Sequence, residues 1–262
     1  MNIRKQQKLS TKNLSKRLDV TNVRNVTYAA MFTFATVFFD TIAFSTPNWL
    51  AADGRQPIKR FNKLGLWEAC FHSFRDPHYL FDREFRGCKW IFDEDYAFLV
   101  DFLEPGFFIA TQTFYTIGFV FVLIACICVL AIQLCFIIEK EILAMKVLSL
   151  VMFLSALFTT IAVIIFGIRG DDRDWMPDHE HNFLSWSFGF AVVGTFFAWM
   201  ASILFWAESR ILYKKQLRKD LHYRMESNIG HREGGPQNHE GNDRHNNHHR
   251  FNEIKHVHHQ NS

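Results

Sequence analysis

Four long apolar runs set the layout of this chain, at about residues 27–46, 107–138, 147–168 and 183–207, and polar segments lie between them. The first, from Thr27 to Ser45, holds 19 residues. As a helix it would extend roughly 28 Å, about the hydrocarbon thickness of a bilayer. The second is longer than a bilayer requires, so it is expected to tilt or to project beyond the membrane. The short charged turn Glu139-Lys140-Glu141 leads from the second run to the third. The pattern predicts a mainly α membrane protein, a four-transmembrane-helix antiparallel bundle spanning residues 27–207.

The large loop between the first two runs, residues 47–106, changes period. Leu64, Leu66 and Cys70 alternate with Gly65, Trp67 and Phe71, and Cys88, Trp90 and Phe92 alternate with their neighbours over Gly87 to Asp93. Both stretches read as strands, each presenting a cysteine. The periodicity supports two strands and no more.

Charge orients the runs. Residues 1–26 form a basic arm with seven basic residues against Asp19 alone, and the tail opens with Arg210, Lys214, Lys215, Arg218, Lys219 and Arg224. The large loop carries 8 basic and 10 acidic residues, and the short loop, residues 169–182, carries 2 and 5. Both termini are therefore expected in the cytoplasm and both acidic loops outside. The formal net charge of +3 and the mean hydropathy of −0.03 average over these unlike segments and inform nothing by themselves. The 29 phenylalanines and a hydrophobic share of 49% fit a membrane protein. The tail, residues 208–262, holds nine of the 13 histidines, lacks the order of a structural zinc site and is expected to be disordered from about residue 228. Its basic start lies beside a membrane, which points to anionic inner-leaflet lipid as a partner and away from nucleic acid. The chain shows no nucleophile elbow, metal-binding helix or phosphate loop, so no enzyme activity, metal or cofactor is expected.

Of the five cysteines, Cys70 and Cys88 alone lie outside the apolar runs, on the side expected to be oxidising, where they would pair. Closing that loop would stabilise it by roughly 3 kcal/mol. Cys126, Cys128 and Cys135 read as small packing residues in the second run, and Cys135, near its cytoplasmic end, is also a palmitoylation candidate. Trp49, then Gly65-Leu66-Trp67, Cys70 and Cys88, set in the first outer loop of a four-span chain, resemble the signature of the claudin superfamily. Ser185-Trp186-Ser187-Phe188-Gly189-Phe190 is similar to the claudin entry into the fourth span. The resemblance implies a small extracellular β-sheet that the second outer loop helps to build. It implies a cell–cell junction protein of the lateral plasma membrane, whose loops meet other claudin-like proteins in the same membrane and across the gap to restrict paracellular diffusion. The 17 residues between Cys70 and Cys88 are closer to the arthropod claudin-like proteins of septate junctions, of the Sinuous type. The alternative is an auxiliary subunit of a channel or receptor, since gamma-type subunits share the spans and the Gly-Leu-Trp-x-x-Cys motif. The chain ends Gln260-Asn261-Ser262 and not in the aromatic-valine ending that many claudins give to PDZ scaffolds, so binding by that route is not expected.

Asp40, about two turns below Pro47 in the first run, is either part of an ion path or a carboxylate with a partner near the bundle mouth. Gly194, Ala198 and Ser202 form a small-residue stripe suited to close helix approach. Asp171, Asp172 and Asp174 in the short loop are the candidates for charge selectivity. The orientation is directly testable: tags on both termini should resist protease in intact cells, and a tag near Gly54 should be cleaved. A tail cut from outside would overturn the even-span topology.

Overall fold

The computed structural model describes residues 26–53, 61–74, 85–94, 96, 100–135, 141–170, 175 and 181–233. The chain forms α1 (Val26–Ser45), β1 (Leu50–Ala52), β2 (Phe61–Leu64), β3 (Glu68–Phe74), β4 (Phe85–Trp90), the short α2 (Val100–Leu103), α3 (Gly106–Cys135), α4 (Glu141–Arg169), β5 (Asn182–Leu184) and α5 (Trp186–Glu233). It divides into two compact units, one up to Lys215 and one from Gln216. The second is helical as far as Glu233 and exposes Leu217, Leu221, Tyr223 and Met225.

The four long helices are apolar enough to cross a membrane, and their side chains are sorted as lipid requires. Ala30, Ala125, Ala156, Ala198 and Ala201 are buried between helices, whereas Met31, Phe38, Ile127, Ile168, Phe196 and Trp206 point outward. Where the surrounding solvent is itself apolar, small residues at helix contacts gain close packing, and large ones lose nothing by facing out. Ser149 and Ser202 lock α4 to α5 by reciprocal 3.2 Å hydrogen bonds, each hydroxyl donating to the other residue's carbonyl. The stripe Gly194, Ala198 and Ser202 thus packs within the bundle.

Several boundaries differ from the sequence expectation. The fourth helix starts at Trp186 and not at 183, because Asn182–Leu184 is extended and pairs with β1. The third begins at Glu141, six residues before the apolar run at 147, since Ile142, Leu143, Ala144 and Met145 suit a helix and Met145 is buried in the bundle. Residues 228–233, expected to be disordered, are the last residues of α5. The single strand expected over Leu64–Phe71 is a hairpin, in which Leu64 ends β2, Gly65-Leu66-Trp67 make the turn and Glu68 opens β3.

The strands form one antiparallel sheet in the order β4-β3-β2-β1-β5. Four strands come from the first loop and the fifth from the second, the larger sheet that the claudin resemblance implies. Leu50 stands opposite Leu64 on one side and Leu184 on the other. Beyond that ladder the Asp53 amide donates to the His181 carbonyl at 2.8 Å, and Asp53 Oδ2 lies 3.2 Å from His181 Nδ1.

Asp40 is fully buried and faces into the bundle from α1. Tyr115 on α3 donates its hydroxyl to Oδ1 at 3.1 Å, and Gly194 on α5 leaves the room that the carboxylate occupies. A Cβ at Gly194 would overlap Asp40 Oδ1. Gly194→Ala is expected to lower the stability of the detergent-solubilised protein by about 1–3 kcal/mol, the usual cost of overfilling a packed contact. Combined with Asp40→Ala, it should cost clearly less than the sum of the two single changes. Additive losses in thermal melts would show that the two residues do not meet.

Candidate functional site: the sheet and its seat on the bundle

Pro47 disfavours helix at the residue before it, and α1 ends at Ser45. The chain then turns so that Trp49 drops back over the helix end. Its indole Nε1 donates to the Ala43 carbonyl at 2.7 Å, one of the acceptors that the last turn of a helix leaves without an intrahelical donor. The ring is fully buried. It meets Tyr115 of α3, Phe166 of α4 and Phe188 of α5 edge-on, with centroids at 5.2, 5.0 and 5.6 Å. One side chain therefore touches all four long helices. Its backbone joins the sheet: Trp49 N donates to Leu64 O at 2.8 Å, and Trp49 O accepts from Ser185 N at 2.9 Å.

The Gly-Leu-Trp turn docks beside it. A Cβ on Gly65 would lie 2.5 Å from Pro47 Cα and 2.7 Å from Thr46 O, so only glycine lets the hairpin approach the end of α1 this closely. Leu66 is buried, and its carbonyl accepts from Gln112 Nε2 of α3 at 2.7 Å. Burial raises the carboxyl of Glu104, just before α3, above the ordinary carboxylate range, and a hydrogen bond with Gln112 partly offsets this. Trp67 is half-buried against Phe44 of α1, with centroids 5.3 Å apart, and its carbonyl accepts from Ile91 N at 2.9 Å. Trp67 also stacks toward Phe92, which meets Trp90. These last two rings are more than half exposed and form an aromatic edge where the sheet meets the bundle.

Cys70 on β3 and Cys88 on β4 stand directly opposite and form the disulfide, Cys70 buried and Cys88 exposed. Glu68 lies near both sulfurs, but a bonded pair offers no thiolate to a metal.

At the start of α5, Ser187 N donates to Asn48 O at 3.1 Å, and its hydroxyl is 2.8 Å from Thr46 Oγ1. Ser185 N reaches Trp49 O, and Gly189 N closes the first helical turn on Ser185 O. Trp186 is half exposed and packs on Phe190. Nothing lies within 4 Å of the place a Cβ on Gly189 would take, so packing does not require glycine there. A family model described as PMP-22/EMP/MP20/claudin tight junction matches residues 33–207, two thirds of the chain.

The chain belongs to this family. Comparison with curated proteins gives no match. In this family member the signature residues Trp49, Gly65, Leu66 and Trp67 converge on the ends of α1 and α3, and the Cys70–Cys88 bond braces the strands that follow. Asp171, Asp172 and Asp174 lie outside the described residues, and Cys135 is the last residue of α3.

Several partners escaped the sequence reading. Gln112 and Tyr115 sit three residues apart on one face of α3, and a polar pair inside an apolar run is the signal that could have marked them. Trp175 of the second loop is buried, donates Nε1 to Phe102 O at 3.0 Å and meets Phe107, Phe108 and Phe166. A lone tryptophan in an acidic loop was its only trace in the sequence. Trp49→Ala is expected to cost about 3–5 kcal/mol, and Trp49→Phe, which loses chiefly the bond to Ala43, about 1 kcal/mol. Helical circular dichroism should persist in Trp49→Ala while the sheet loops become sensitive to protease. Intact loops in that variant would show that the sheet is held elsewhere.

Proposed function

We propose that this protein is a cell–cell junction component whose sheet, held outside the cell, takes part in a paracellular diffusion barrier between epithelial cells. The observation that carries the reading is the five-stranded sheet fixed to the end of a claudin-family bundle by Trp49. A barrier element has to hold one shape between two membranes, and a sheet tied to four helices at one buried ring meets that need. The strands β4 and β5 are its two edges, and the exposed Trp90 and Phe92 lie on and just beyond β4. These are the surfaces through which claudin-like partners in the same membrane or across the gap would be met.

The length of the loop between the disulfide cysteines favours a septate junction of the arthropod kind. The basic arm and the basic start of the tail favour a cytoplasmic location for both termini, with the tail drawn to anionic inner-leaflet lipid. Cys135 is the palmitoylation candidate, and Asp171, Asp172 and Asp174 are the candidates for cation preference. Exposed charges more than about 8 Å apart are largely screened in physiological salt, so these aspartates would act only if they line a narrow passage.

Epithelium lacking the protein should pass a dye of moderate size between living cells, and wild-type protein should restore exclusion. Rescue with Asp171, Asp172 and Asp174 changed to Asn should keep dye exclusion and reduce cation preference in dilution potentials. An intact dye barrier in the complete loss mutant, together with uniform membrane staining, would sink the junction reading and favour an auxiliary channel subunit.

A further inference from the structure

At the end of the bundle away from the sheet, α4 and α5 leave a groove of about 450 Å³ between them, within the size range of small-molecule sites. Its walls are Leu150 and Phe153 on α4 and Trp199, Ile203 and Trp206 on α5. Its floor carries the Ser149–Ser202 pair, whose hydroxyls are spent on each other's carbonyls, so it asks for no polar ligand. Leu150, Ile203 and Trp206 are more than half exposed.

The groove ends at cations. Lys146 lines its mouth, and its Nζ lies 5.7 Å from the ring centre of Tyr213. Arg210, one residue beyond the lining Ser209, holds its guanidinium 5.8 Å from the ring centre of Trp206, a groove wall. Both are exposed, and a cation resting on an aromatic face keeps N–H donors for an anion. The nearby Glu208 is fully buried and does not line the groove.

Depth decides what the cations meet. From Lys146 to Arg169 along α4, and from Trp186 to Arg210 along α5, the helices rise roughly 35 Å, slightly more than a hydrocarbon core. With Arg169 and Trp186 at the border nearer the sheet, Lys146 and Arg210 lie together at the opposite one, at headgroup level. The apolar walls then lie at acyl-chain depth.

We propose that this groove is a site for one anionic glycerophospholipid, its acyl chain between Phe153, Trp199 and Ile203 and its phosphate and acidic headgroup on Lys146 and Arg210. A zwitterionic lipid would fill the same walls but bring no net charge to the two cations. The proposal rests on the four-span fold and not on the junction reading.

The test is native mass spectrometry of the full-length protein released from nanodiscs of equimolar dioleoyl phosphatidylserine and dioleoyl phosphatidylcholine. Wild type is expected to retain one phosphatidylserine with a preference on the order of tenfold, the scale expected of two basic residues at an anionic headgroup. Lys146→Gln with Arg210→Gln should reduce the preference to near unity, whereas Lys214→Gln with Lys215→Gln should leave it. Ile203→Trp, which fills the groove from its exposed side, should lose the bound lipid of either kind. An absence of preference in wild type would overturn the site. So would equal loss in the two charge variants, which would mark a diffuse basic attraction, or a bound phosphatidylserine in Ile203→Trp.

Discussion

The structure depends on a tryptophan standing over the end of a helix. The last turn of α1 leaves carbonyls without intrahelical donors, and at the mouth of a bundle these need another partner. Trp49 Nε1 supplies one to Ala43, and the bond fixes where the indole lies. The ring then becomes the surface on which Tyr115, Phe166 and Phe188 converge. Because β1 begins at the next residue, the position of the ring also sets the position of the sheet. Helix packing and sheet placement are a single constraint here.

Polar groups inside the bundle follow the same logic. The carboxylate of Asp40 is costly in an apolar medium, and it is met by Tyr115, whose ring also packs on Trp49. Tyr115 therefore couples the buried carboxyl group in α1 to the seat of the sheet through one side chain. Asp40 also lies over Gly194, so its presence limits how large a residue α5 can carry at that height. A carboxylate enclosed on three helices in this way acts first as a register pin between them. That geometry favours the reading of Asp40 as a carboxyl group with a partner, Tyr115, over the ion path.

How much of this was legible follows from which interactions are local. The spans were visible because lipid imposes a length and a composition on each helix by itself. The pairing of Cys70 with Cys88 was visible because placement left the two cysteines no other partner outside the spans. The fourth span was placed three residues early because Phe183 and Leu184 are apolar. Their strand conformation is decided by β1, which lies more than 130 residues earlier in the chain. Similarly, alternation over Leu64–Phe71 suggested one strand because its apolar positions are real. Gly65 instead lies in a turn packed against the backbone of Thr46 and Pro47, a contact that no local pattern encodes. Trp175 and Gln112 were missed for the same reason, since their partners Phe102 and Leu66 are brought near by the tertiary fold.

The two constraints on the sheet differ in kind, and the difference bears on how such a protein can act. The disulfide joins β3 to β4, at the sheet edge farthest from β5, and says nothing about where the sheet sits on the helices. Trp49 and Leu66 fix that seat, through contacts that exist only when the bundle is assembled. A pair of strands stapled but not seated would be a mobile loop, and a seated sheet without the staple would loosen at its β4 edge. Only both together hold the exposed aromatic edge of Trp90 and Phe92 at a fixed height beside α1. In the junction role proposed above, that fixed height would give a neighbouring molecule a defined surface to meet. The signature residues thus act one step back from any such contact: Trp49, Gly65 and Leu66 seat the sheet, and the Cys70–Cys88 bond braces its β4 edge.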